Sequence, residues 1–83
     1  MTYRIEYARG VKQRIIDYRK TDPDGVDQIF DAINALARAP RPHGAQPYGS
    51  PDILRIHVGC YRLMYEVHDE VVMITVFHVG RLP

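Results

Sequence analysis

The order of hydrophobic and polar positions predicts a strand, two helices and then a meander of strands. Residues Tyr3–Tyr7 alternate large apolar side chains with charged ones, which is the period-two pattern of a half-buried strand. Apolar residues then recur at helical spacing from Ala8 to Tyr18, with basic residues between them. We therefore expect an amphipathic helix that runs to about Lys20.

A second helix is predicted from Asp22, which precedes Pro23 as an N-cap residue precedes a first-turn proline. The apolar stripe of this helix is the clearest in the chain and comprises Val26, Ile29, Phe30, Ile33, Leu36 and Ala37. The helix is expected to end before Pro40, because proline disfavours helical backbone at the residue before it. Residues 40–51 hold four of the six prolines and two glycines, so a semi-extended loop is expected there.

The second half of the chain is rich in β-forming residues. Three runs, Ile53–Val58, Tyr61–Val67 and Val71–Val79, are separated by a Gly-Cys pair at 59–60 and by an acidic turn at 69–70. Short runs with turns of this kind predict a three-stranded antiparallel meander.

Side-chain alternation in the first hairpin predicts two chemically different faces. Counting outward from a two-residue turn places His57 opposite Arg62, and the pairing continues to Leu54 opposite Tyr65. The apolar face, suited to receive the helices, contains Leu54, Ile56, Val58, Tyr61, Leu63 and Tyr65. The other face contains Arg55, His57 and Arg62 with Met64 and Glu66.

Three nitrogen-rich side chains thus converge on the polar face. Cross-strand neighbours lie about 5 Å apart at Cβ, so His57 and Arg62 can contact one ligand, with Arg55 two residues away. This geometry suits a phosphate; the alternative is an exposed sheet face that is charged only for solubility, with Glu66 as an ion-pair partner. For His78, a two-residue turn predicts the apolar face opposite Tyr61, where a structural histidine is favoured over an acid or base.

Length and composition predict one small domain, residues 1–83, with a single core. The chain is 46% hydrophobic and 25% charged, which is typical of globular proteins. Cys60 is the only cysteine, and no Cys/His group has zinc-ligand spacing, so neither an internal disulfide nor a metal or other cofactor is expected. No membrane span or signal peptide is recognised, and we expect a cytoplasmic protein without a membrane partner.

Charge is segregated along the chain although the net charge is only +1. Residues 9–20 carry a net charge of +4 from Arg9, Lys12, Arg14, Arg19 and Lys20 against one aspartate, whereas residues 22–31 carry four aspartates and no basic residue. Two solvated helix faces would explain this pattern, and so would a basic segment that binds RNA or ribosomal phosphate. Tyr48, in the proline-rich loop, either stacks on a base or covers the edge of the core.

Three features together resemble the RelE/ParE superfamily of type II toxins. They are the order of elements, the strand pattern "LRIHVG" that leads into "YRLMYEV" within residues 49–67, and the ending "HVG" followed by a basic residue. The resemblance covers nearly the whole chain. It implies an α+β fold in which two N-terminal helices pack on one face of an antiparallel sheet, in the order β-α-α-β-β-β, with the first strand joining the meander. It also implies a cognate antitoxin as partner, with a homodimer or a toxin–antitoxin hetero-oligomer as the possible assembly.

The resemblance implies two activities. RelE-type members are endoribonucleases, or mRNA interferases, that act with the ribosome and cleave messenger RNA in its A site, whereas ParE-type members act on DNA gyrase. A third alternative is a catalytically weak module that acts mainly in an antitoxin-bound repressor complex. Because the Arg55, His57 and Arg62 cluster matches the RelE-type site, we favour a metal-independent endoribonuclease.

The roles of the site residues follow from that chemistry, in which the ribose 2′-hydroxyl attacks the adjacent phosphate. His57 is the candidate general base, and Arg55 and Arg62 are suited to stabilise the charge of the transition state. By resemblance, Arg81 is the basic residue of the family's ending and a fourth candidate catalytic residue. Leu82 and Pro83 follow it where many RelE-type nucleases carry a second basic residue and then a tyrosine.

Overall fold

The computed structural model describes residues 2–83, and its elements follow the predicted order with one additional strand. The helices are α1 (Val11–Tyr18) and α2 (Pro23–Arg38). The strands are β1 (Arg4–Tyr7), β2 (Gln46–Ser50), β3 (Ile53–Val58), β4 (Tyr61–His68) and β5 (Met73–Arg81). A short 3₁₀ turn, Asp69–Val71, joins β4 to β5. The α+β fold class is therefore confirmed, including the two helices that precede the meander.

The five strands form one sheet in the order β1-β5-β4-β3-β2. β1 joins the meander beside β5, as expected. This one pairing is parallel, which the expected antiparallel sheet did not include, and every other pairing is antiparallel. Both helices pack on one face of this sheet, and the core lies between them. The opposite face of β3 and β4 is left without a covering layer, and this open face carries the polar residues discussed below.

Local sequence signals explain both ends of α2. The carboxylate of Asp22 accepts a hydrogen bond from the Gly25 backbone N–H at 3.1 Å, and Pro23 occupies the first turn. This is the predicted N-cap, which satisfies a backbone donor that the helix leaves unpaired. The helix ends at Arg38, ahead of Pro40, as expected. α1 ends at Tyr18 rather than Lys20, because the chain tightens into turns there.

The prediction of a semi-extended loop over residues 40–51 was wrong for its second half, which is strand β2. Gln46 pairs with Arg55 and Pro47 with Leu54. β2 is the edge strand, and an edge strand tolerates a proline that cannot donate to the ladder. An irregularity follows Pro47, where Gly49 adopts a positive φ of 80°.

Ionic contacts hold the first half of this segment against the sheet ends. One terminal nitrogen of Arg41 lies 2.7 Å from the Asp52 carboxylate and 3.0 Å from the Asp69 carboxylate. The hydroxyl of Tyr3 also donates to Asp69, at 2.7 Å. The hydrogen bond from Arg41, and to a smaller extent the one from Tyr3, lowers the pKa of Asp69. These contacts fix the position from which β2 starts beside β3.

Candidate functional site

The structure brings together the three residues that alternation predicted for the polar face. The register of β3 and β4 is the expected one, with His57 opposite Arg62 and Arg55 opposite Met64. On the other face of the same strands Leu54 and Tyr65 are buried in the core. His57 is exposed and the two arginines are half-buried, so the cluster faces solvent on the side away from the helices.

Strand β2 adds two polar groups to this cluster. One terminal nitrogen of Arg55 donates to the Gln46 side-chain oxygen at 3.1 Å. The Arg55 guanidinium carbon also lies 5.6 Å from the centre of the Tyr48 ring, which is 56% exposed. Gln46 was not expected at this site, because a loop over residues 40–51 assigns no sheet face to its side chains. Tyr48 therefore lies beside the basic cluster rather than over the core.

The two arginines of the cluster have no acidic partner among the described residues. Within residues 2–83 no carboxylate forms an ion pair with Arg62 or with Arg55, because the Glu66 carboxylate lies instead at 4.0 Å from the imidazole of His68. The Nε atoms of both arginines are buried without a hydrogen-bond partner among the described residues. An uncompensated guanidinium is a favourable place for an anion, since an oxyanion supplies the missing charge and hydrogen bonds.

His78 lies on the polar face, so its predicted placement opposite Tyr61 was wrong. Two irregularities account for the error: a 3₁₀ turn replaces the two-residue turn, and the β4–β5 register shifts between Met64 and Tyr65. As a result His78 pairs with Met64, and Arg81 pairs with Tyr61. A change of one residue in register moves a side chain to the opposite face of a sheet.

Arg81 lies on the helix side of the sheet, and the structure does not bring it to the other three residues. Its guanidinium lies over the rings of Tyr18 and Tyr61, at 4.8 and 5.3 Å from their centres. It donates to the Thr21 hydroxyl at 3.2 Å and to the Tyr61 hydroxyl at 2.8 Å. Arg81 therefore ties the end of β5 to the turn between the two helices.

Tyr61 links this contact to the cap of α2. Its hydroxyl donates to the second oxygen of the Asp22 carboxylate at 2.7 Å. The hydrogen bonds from Tyr61 and from the Gly25 N–H lower the pKa of Asp22. A β-carbon on Gly25 would collide with the Asp22 carboxylate and with the Tyr61 ring, so this close approach requires glycine. The network joins the helical hairpin to the last strand.

The basic residues of segment 9–20 lie on α1 and in the turns at its two ends rather than on the strands. Arg9, Lys12, Arg14, Arg19 and Lys20 are all exposed. Arg19 pairs with Asp27 at 3.2 Å, which is the attraction between oppositely charged helix faces. Arg9 and Arg14 line a cleft of about 320 Å³ together with Phe77, His78 and Val79 of β5. These two arginines therefore approach the sheet edge, whereas Arg19 is occupied within the helical layer.

Other features of the described residues set the context of the cluster. A groove of about 440 Å³ runs between α2 and β3, and apart from His43 and His57 its lining is apolar. No group of three or more His, Cys, Asp or Glu side chains is placed to hold a metal ion within residues 2–83. In the same range no helix is long and apolar enough to cross a membrane.

Comparison with known proteins identifies the family. A family model described as the ParE toxin of the type II toxin–antitoxin system parDE matches residues 5–83. No curated protein sequence matches the chain. The isolated RelE toxin of E. coli superposes with a TM-score of 0.80 at 25% identity, covering 98% of this chain and 85% of that one.

Two further structures share the fold. RelE in the archaeal RelE–RelB complex from Pyrococcus horikoshii has a TM-score of 0.80 at 21% identity and covers 98% of this chain and 96% of that one. A YoeB/ParE toxin from Agrobacterium tumefaciens has a TM-score of 0.78 at 18% identity, with coverage of 96% and 98%. The chain has the RelE-like fold of these proteins and belongs to the ParE toxin family of type II toxin–antitoxin systems.

Proposed function

We propose that this toxin is an endoribonuclease that cleaves messenger RNA on the ribosome and does so at the open polar face of β3 and β4. The observation that carries the proposal is Arg62, a half-buried cation without a carboxylate partner, placed directly opposite an exposed imidazole. A general base beside an unneutralised guanidinium is what transfer of a phosphodiester to a neighbouring hydroxyl requires. The similarity to the E. coli RelE toxin supports the same reaction class.

The proposed reaction starts from the ribose 2′-hydroxyl on the 5′ side of the cleaved bond. His57 takes the proton of this hydroxyl, and the oxygen attacks the adjacent phosphorus. Arg62 and Arg55 bind the non-bridging oxygens, whose negative charge increases in the transition state. The bond to the 5′-oxygen of the next nucleotide breaks, leaving a 2′,3′-cyclic phosphate. The reaction as written uses side chains alone, with neither metal nor other cofactor.

Tyr48 is proposed to hold the RNA in place. Its exposed ring already stacks near the Arg55 guanidinium, and a base can stack on an exposed aromatic face beside a phosphate site. Arg81 is left outside the reacting group of side chains, because it lies across the sheet in the contact with Tyr61. Arg9, Lys12, Arg14 and Lys20 are proposed to contact ribosomal RNA through charge alone.

The test is cell-free translation with purified protein, in which message 5′ ends are mapped by primer extension with and without ribosomes. We expect new ends that need ribosomes, and Arg62→Ala should reduce cleavage by about 10²- to 10³-fold, as removal of a single transition-state hydrogen-bond donor does. Arg38→Ala is the matched control, because it removes the same charge from an exposed site at the end of α2. Equal activity in both variants would refute the site.

The family match itself favours a second candidate, inhibition of DNA gyrase. Assays on the same purified protein distinguish the nuclease from the gyrase inhibitor. A protein that leaves messages intact but blocks supercoiling by purified gyrase acts on gyrase. A protein that does neither and is harmless when expressed alone is the non-catalytic module.

We further propose a cognate antitoxin that binds the basic residues of segment 9–20. RelE of Pyrococcus horikoshii is found in a complex with RelB, which supports such a partner here. Antitoxins are typically acidic and flexible, and an acidic segment would gain charge complementarity along α1. Arg14→Glu should weaken binding more than Arg19→Glu, because Arg19 already pairs with Asp27. Titration calorimetry with the antitoxin would measure both, and unchanged affinity for Arg14→Glu would contradict this surface.

A further inference from the structure

The bulge in β5 gives the polar face a second imidazole. Tyr65 pairs with Val76 and Met64 with His78, so Phe77 is the extra residue and His78 turns to the face that carries Arg62. The ring of His78 then folds toward Gly80, since its Nε2 lies 3.2 Å from the point that a β-carbon on Gly80 would occupy. Gly80 is the cross-strand partner of Arg62. The absence of a side chain at Gly80 leaves the space next to Arg62 to the imidazole.

Three strands therefore present a row of His57, Arg62 and His78 across the open face. Neighbouring strands are about 4.8 Å apart, so the His57 backbone and the Gly80 backbone beneath the second ring are about 10 Å apart, with Arg62 midway. A phosphate bound over Arg62 would have one imidazole on each side. An in-line displacement needs this arrangement, because the attacking and leaving oxygens lie on opposite sides of the phosphorus.

We propose that His78 is the general acid of the reaction, a role that rests on the proposed nuclease function. The reaction needs such a group, because His57 accepts the proton of the 2′-hydroxyl and the 5′-oxygen must gain one as its bond to phosphorus breaks. Protonated His78 donates that proton from Nε2. The product is a 5′-hydroxyl, and both imidazoles return to their starting states by exchanging one proton each with water. No other reactant is consumed.

Within residues 2–83 the other proton-carrying side chains of this face lie away from Gly80: Tyr48 is beside Arg55 on the β2 side, and Glu66 is opposite Thr75. The arginines of the face stay protonated and make poor proton donors. Arg81 lies on the helix side, and His68 is hydrogen-bonded to the Thr75 hydroxyl at 3.2 Å. The cations nearest His78 are Arg62, on the face of β4 opposite Gly80, and Arg9 and Arg14, before and within α1, which line its cleft. Glu66, on the other side of Met64 from Arg62, is the carboxylate of the same face of β4. The same cations would attract the phosphate to the side on which His78 acts.

The experiment compares His78→Gln with His57→Gln on two ribosome-bound messages. One has the natural 5′-oxygen at the cleavage site, and the other has a bridging 5′-sulfur, which leaves as a thiolate without needing a proton. We expect the His78→Gln protein to cleave the oxygen substrate about 10²-fold or more slowly than the wild-type protein. It should cleave the sulfur substrate at the wild-type rate. His57→Gln should be slow on both. Cleavage of the sulfur substrate also demonstrates that His78→Gln is folded.

His68→Gln, on the same face of β4 but outside the row, is the matched control and should cleave both substrates normally. His78→Gln that cleaves the oxygen substrate at the wild-type rate would overturn the role, as would equal losses on both substrates. In either case the wild-type protein still cleaves, and the proposed nuclease stands. If the wild-type protein cleaves neither substrate, the nuclease function fails and the role of His78 fails with it.

Discussion

Tyr61 and Tyr65 form a matched pair that tests whether the Asp22–Tyr61–Arg81 network stabilises the fold. Both side chains are fully buried, and both hydroxyls donate a hydrogen bond of 2.7 Å. Tyr65 donates to the neutral carbonyl of Pro40, whereas Tyr61 donates to a carboxylate and accepts from Arg81 at 2.8 Å. Replacing each with phenylalanine removes only the oxygen, so the difference between the two variants isolates the charged partners.

The structure sets the size of the effect. A neutral hydrogen bond contributes about 1 kcal/mol, so Tyr65→Phe should lower the free energy of unfolding by about that amount. Hydrogen bonds to charged groups contribute about 1.5–3 kcal/mol. Arg81 is exposed and water would partly replace its lost partner, so Tyr61→Phe should cost about 2 kcal/mol, toward the lower part of that range. For a domain of this size, each kcal/mol lowers the melting temperature by about 4–8 °C.

Urea unfolding followed by circular dichroism measures both variants under the same conditions. We expect the Tyr61→Phe loss to be about twice the Tyr65→Phe loss, with unchanged slopes of free energy against urea. A Tyr61→Phe loss equal to or smaller than that of Tyr65→Phe would refute the argument, because the charged partners would then add nothing. A second check is Arg81→Met in the Tyr61→Phe background, where the two effects should not add.

Two further predictions concern stability. The hydrogen bonds that Asp22 accepts lower its folded-state pKa below the ordinary 3.8, so its contribution to stability is present above that pH and is lost as the pH falls through the folded value. In Asp22→Asn the free energy of unfolding should therefore fall less between pH 7 and pH 2 than it does in the wild-type protein. Urea unfolding at each pH measures this, and an equal fall in both proteins would contradict the assignment. Val72 adopts a left-handed conformation with φ of 53°, which disfavours a β-branched residue. Val72→Asn should raise the melting temperature by several degrees, a gain of about 1 kcal/mol, and a fall would show that the side chain of Val72 contributes more than the strain costs.

The sequence by itself predicted the elements and the pairing that depend on local rules. The two-residue turn at 59–60 and the alternation on both sides of it determine which residue faces which, so Arg55, His57 and Arg62 could be placed together without coordinates. The start of α2 was predictable for the same reason, because Asp22 and Pro23 act within a single turn.

Only the tertiary structure decided the face of His78, the partners of Arg81 and the strand in the proline-rich segment. The face of His78 depends on a bulge in β5 that forms only against β4, since one extra residue reverses the alternation beyond it. Arg81 gains its position from Tyr18 and Tyr61, which are distant in the sequence. β2 forms because β3 offers it an edge. Contacts of this kind depend on packing between elements, so the pattern along a single segment does not predict them.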